Sequence, residues 1–149
     1  MALGDDTTFL QLLEPFPQQV RDTAVWLREW IWTRYPESNE LIYGKNKGLA
    51  VGWGFTETAS DIFASFACYA QHVNLGFHNG HLLDDSKGML QGSGNRYRHY
   101  RLGRIDDFPR PYMEALMDAA WMNAHAALKP KAKLIQGQTI VKSLGSKKT

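Results

Sequence analysis

Apolar positions near the start of the chain recur at helical spacing, and further along they alternate as strands do. Residues 7–13 read as a short helix opened by Thr7 or Thr8 and stopped before Pro15. From Pro17 to Tyr35 the helical signal strengthens: Val20, Ala24, Leu27 and Ile31 recur at 4-3-4 spacing, with Trp26 and Trp30 widening the stripe. Arg21, Arg28, Glu29 and Arg34 form the expected wet side, and Pro36 ends the helix.

Strand patterns follow. Leu41, Ile42 and Tyr43 make a short one, closed by Gly44 and a turn through Lys45, Asn46, Lys47 and Gly48. From Leu49 to Phe55, the large residues Leu49, Val51, Trp53 and Phe55 alternate with Ala50, Gly52 and Gly54. The large side must meet the core. The small side predicts close packing of a helix by default, or else the floor of a ligand pocket. Ile62 to Tyr69 is apolar on both faces, as a buried central strand would be. In the next strand Val73, Leu75 and Phe77 point one way, and His72, Asn74, Gly76 and His78 the other. Residues 79–95 are loop-like, and Arg96 to Leu102 returns as a strand. Asp106 or Asp107 then caps a last helix that has Pro109 near its start and stops at Lys129 and Pro130.

Helix, strands and helix with short connections predict an α+β fold. It is an antiparallel β-sheet meander flanked by N- and C-terminal helices in a layer sandwich. The expected organisation is an N-terminal extension with its short helix over residues 1–16, one α+β domain over 17–128, and a basic, flexible tail over 129–149.

Composition sharpens this picture at three points. The lone Cys68 excludes an internal disulfide framework and suits a reducing cytosol. The opening Met-Ala-Leu-Gly-Asp-Asp has neither the basic nor the apolar region of a secretory signal, and no apolar run approaches a spanning length of about 20 residues. A cytoplasmic protein with no membrane partner is expected. The net charge of +2 hides an asymmetry: residues 1–128 hold eleven basic and fifteen acidic side chains, a net −4, while the last 21 residues hold six lysines and no acid. A negative body argues against nucleic acid as a partner, although Arg96, Tyr97, Arg98, His99, Tyr100 and Arg101 interleave cations and aromatics as single-strand binders do.

The candidate chemistry clusters on two strands. His72 and Asn74 precede or enter one, and Arg98 and His99 lie on the other; with Tyr43 they make the candidate ligand-binding set. A guanidinium offers a planar fork and an imidazole an adjustable donor, so a small anionic molecule is the expected partner of a non-enzymatic binding domain. The plainer reading of the same residues is a hairpin with exposed basic side chains on a half-solvated sheet face. A metal set is the weaker alternative, from His78, His81, Asp84 and Asp85, whose spacing matches no zinc or iron signature. Nothing supports nucleophilic catalysis: Cys68 sits in the buried strand, and Ser65 and Ser93 lack a flanking elbow motif. No cofactor is expected from these patterns. The strand Arg96 to Leu102, if at an edge, offers a homodimer contact.

Tyr43 with Gly44, His72 through Phe77 with Gly80, Leu90 through Gly94, and Arg98 with His99 together resemble the YdhG-like domain family of bacterial proteins. The resemblance spans roughly Pro17 to Ala127. It implies a compact α+β domain with an antiparallel sheet, similar in outline to frataxin. One branch of that family is linked to intracellular iron delivery for iron–sulfur cluster and haem assembly. The resemblance therefore implies a second function, a frataxin-like iron chaperone with iron as its cargo.

Overall fold

The stripe of Val20, Ala24, Leu27 and Ile31 is buried along a helix that runs from Gln18 to Arg34, with Pro17 at its N-cap. The computed structural model describes residues 6–45 and 48–144. Helix α1 spans Thr7–Leu13, α2 Gln18–Arg34 and α3 Arg110–Ala126. The strands are β1 Asn39–Lys45, β2 Gly48–Gly54, β3 Ile62–Cys68, β4 Val73–Phe77, β5 Arg98–Leu102 and β6 Thr139–Leu144. They form one six-stranded sheet in the order β5-β4-β3-β2-β1-β6. The first five strands make an antiparallel meander, and β6 returns to lie parallel to β1.

All three helices pack on one face of this sheet. Leu49, Val51 and Trp53 of β2, Phe66 of β3, and Val73, Leu75 and Phe77 of β4 are buried beneath them. Successive side chains on a strand alternate between faces, so the neighbours of these residues line the opposite, open face. The small residues of β2 lie on that open face, and among the described residues no helix packs there. A Cβ at Gly54 would meet the Asp61 carbonyl oxygen at 2.8 Å, and one at Gly52 the Ile62 side chain at 2.6 Å. A loop and the adjacent strand close over β2 where a helix was expected.

Two further expectations are corrected. Asp106 and Asp107 do not cap α3: they sit in a 3-10 turn, Ile105–Asp107, and Pro109 holds the N-cap position. The tail is not a flexible appendage through residue 144. Its Thr139–Leu144 segment is a sixth strand, and residues 129–138 lead into it through ordered backbone contacts, with Ile135 N–H donating to Phe55 O and Glu40 N–H to Gln138 O. The fold therefore does not end at residue 128. The remaining five residues of the expected tail lie outside the described ones.

What anchors that return is a buried ion pair. Arg28, placed on the wet side of α2 by its charge, is only 4% exposed and meets Glu40, which is fully buried. Its Nε donates to Glu40 Oε2 at 2.5 Å and Nη2 to Oε1 at 2.8 Å, while Thr139 of β6 donates to the same Oε1 at 2.9 Å. Asp6 accepts a third guanidinium bond, and the rings of Phe9 and Trp32 flank the cation. Burial works against the charge, but Glu40 and Asp6 outweigh it and hold the Arg28 pKa above its ordinary value. Beside this pair, Asn39 donates to Ile135 O at 2.7 Å and accepts from Gln138 N–H at 2.9 Å, clamping the returning chain.

Candidate functional site

The β4–β5 register decides which of the expected site residues meet. Asn74 pairs with Arg101, Gly76 with His99, and Phe77 with Arg98. Asn74, His99 and Arg101 therefore share the open face, and Arg98 lies on the helix-covered face with Phe77. Arg98 is not part of the cluster. Its guanidinium donates to Gly94 O and Tyr97 O, both at 2.8 Å, and braces the turn before β5. The cation that does face His99's side is Arg101, two residues further along the same strand.

His72 stands at the near end of this group. Its ring stacks on Tyr69 with centroids 4.9 Å apart. Burial lowers its pKa first, and the nearby Arg101 charge and the neighbouring His99 lower it further, which favours the neutral imidazole. Tyr97, which lies just before β5, stacks with His99 at 6.0 Å and reaches across β4. A Cβ at Gly76 would meet its hydroxyl at 2.0 Å, so only glycine leaves room for the ring there.

Tyr43, the fifth expected residue, lies away from this group, on β1 with β2 and β3 between. It lines a separate hollow of about 860 Å³, whose other walls are the Thr56–Asp61 loop and the returning segment with Lys129, Lys131, Lys133 and Lys142. Four lysines and two acidic residues, Glu57 and Asp61, line it. Asp61 accepts from Thr56 Oγ1 at 2.7 Å, and Lys142 Nζ donates to Glu57 O at 2.9 Å, which fixes the rim. The Tyr43 hydroxyl is buried without a hydrogen-bond partner, as are Asn74 Oδ1 and the Trp53 indole N–H among the described residues. An unpaired buried polar atom costs about 1–3 kcal/mol, so two of the five expected site residues hold unfilled hydrogen-bonding capacity. Burial also raises the Tyr43 pKa, which keeps the hydroxyl protonated as a donor.

The alternative metal set does not assemble. His81 is exposed, and the Asp85 carboxylate is occupied in holding its own loop. It accepts from Met89 N–H and Leu90 N–H at 2.9 Å and from the Tyr112 hydroxyl. Burial raises its pKa, but these donors outweigh it and leave the acid below its usual range. Among the described residues no three His, Cys, Asp or Glu side chains come together as a metal site. Cys68 is buried, and burial pushes its thiol up to about 12, consistent with a core residue.

A second cavity, about 440 Å³, was not legible from the sequence. Tyr35, Phe55, Trp121 and His125 wall it together with Leu134 and Ile135 of the returning segment. Trp121 stacks on Tyr35 and on His125, and the Tyr35 hydroxyl donates to Asp118. Among the described residues no helix is long and apolar enough to cross a membrane. Comparison of the chain with family models, curated proteins and solved structures finds no match.

Proposed function

We propose that this chain is a non-enzymatic binding module for a small, multiply charged anion, held in the lysine-lined hollow beside Tyr43. The observation that carries the reading is the concave space that Lys129, Lys131, Lys133 and Lys142 line together with Tyr43, whose buried hydroxyl has no hydrogen-bond partner among the described residues. Its volume of about 860 Å³ lies within the usual range for small-molecule sites. Lysines are compact point charges on flexible stems, which suits several phosphate or carboxylate groups better than one planar carboxylate. The proposal also takes the chain as kin to YdhG-like domains, on the strength of the sequence blocks from Tyr43 and Gly44 to Arg98 and His99.

Calorimetric titration with inorganic pyrophosphate, ATP and citrate tests the reading. Tyr43→Phe removes one donor to a charged group, so affinity should fall about tenfold. The same change removes an unsatisfied buried hydroxyl and should leave the melting temperature equal or higher. Lys131→Ala with Lys133→Ala should abolish binding. If none of the three anions binds, or both variants bind as the parent does, the hollow is not an anion site.

A further inference from the structure

The open face joins two groups of residues that stand too far apart to hold one small ligand. In register, Arg101, Asn74, Ala67, Ala50 and Tyr43 form a single row across β5, β4, β3, β2 and β1. Four steps between strands of about 4.8 Å put the ends of the row roughly 19 Å apart. At the β5 end lie a guanidinium and stacked aromatic pairs; at the β1 end lies the lysine-lined hollow. Between them Ala67 and Ala50, both half-exposed, leave a shallow floor free of bulky side chains.

The aromatic pairs are arranged for stacking. Tyr97 lies over the backbone of Gly76, and 41% of it remains exposed. Tyr69, stacked on His72 with an interplanar angle of 10°, is 46% exposed. Aromatic rings presented on an open sheet face accept unpaired bases from any sequence, because every base has a π-face. Asn74 Oδ1, an acceptor with no donor among the described residues, lies in the same row.

We propose that this face binds single-stranded nucleic acid. Bases stack on the Tyr97–His99 and Tyr69–His72 pairs, Arg101 holds the backbone at one end, and the strand runs over Ala67 and Ala50 to the lysines beside Tyr43. The inference rests on the anion hollow only for the far end of that path. The row accommodates about four nucleotides, the lower end of single-strand site sizes. The charge objection weakens with the fold: a net −4 described a body without residues 129–144, whereas that segment returns to the sheet as β6, and its four lysines bring residues 1–144 to a net charge of 0.

Fluorescence anisotropy with a labelled single strand of about twelve nucleotides, as RNA and as DNA, and with a duplex of the same sequence tests the proposal. Binding is expected to favour the single strand. Tyr69→Ala should weaken it about fivefold or more without lowering the melting temperature. Arg101→Ala should flatten the dependence of log affinity on log salt by about one. Pyrophosphate binding should be unchanged in Tyr69→Ala, which separates this site from the hollow. The proposal is overturned by an absence of single-strand binding at roughly 100 µM protein, the weak end of non-specific affinity, even if pyrophosphate binds. Equal affinity for the duplex, or oligonucleotide binding that Tyr69→Ala leaves intact, overturns it too.

Discussion

His78 is a half-buried imidazole whose ring meets Tyr97 edge-on, and burial lowers its pKa below the ordinary histidine value. His72 shifts in the same direction. A base whose folded pKa is lowered binds fewer protons than its unfolded counterpart in the window between the two values. Stability from such a group is complete above the unfolded pKa of about 6.5 and declines as pH falls through the folded value. Urea unfolding at about pH 7.5 and 5.5 should therefore show a lower midpoint at the acid value, and His78→Gln should shrink that difference. An undiminished difference in the variant would mean His78 is solvated. The same residue scale shows what alternation does and does not reveal. It separates Arg98 from His99 and puts Arg101 with His99 from the sequence alone. What it cannot reveal is which face the helices cover, because that depends on where α2 and α3 pack.

At the scale of elements, the ion pair between Arg28 and Glu40 ties α2 to β1 and, through Thr139, to β6. Arg28 lies about 70° from the centre of the apolar stripe on α2, on its flank, with Trp32 further round on the same side. The angle permitted burial, and only its charge argued for water. Its partner was invisible for a different reason: an isolated Glu at a strand start signals nothing until the helix is docked. Breaking a buried pair strands the other charge, at a cost of about 3–5 kcal/mol, whereas replacing both members with apolar residues is often neutral. Glu40→Leu alone and Arg28→Met alone should each destabilise by that order, and the double variant should recover most of the loss. Denaturant midpoints for the three proteins decide it; simple additivity of the single losses would show that the two side chains do not depend on each other.

For the whole molecule the deciding element is the returning segment. Thr139, Ile140 and Val141 are strong β formers, yet lysines dominate the composition around them, and their partner strand is about a hundred residues earlier. A parallel pairing at that separation leaves no local turn signal to read, which is why a meander was legible and its sixth strand was not. Once folded back, the segment supplies lysines to the hollow beside Tyr43, Leu134 and Ile135 to the aromatic cavity, and a hydroxyl to the buried ion pair. Removing residues 129–149 should thus act on stability and binding together. The loss of strand pairing and of the Thr139 and Asn39 bonds should cost about 2 kcal/mol or more, roughly 5 °C in melting temperature for a chain of this size. Pyrophosphate binding should disappear and single-strand binding should weaken in the truncated protein. A truncation that melts at the parent temperature would show that β6 contributes no stability, and one that still binds pyrophosphate would remove the lysine-lined hollow from the account.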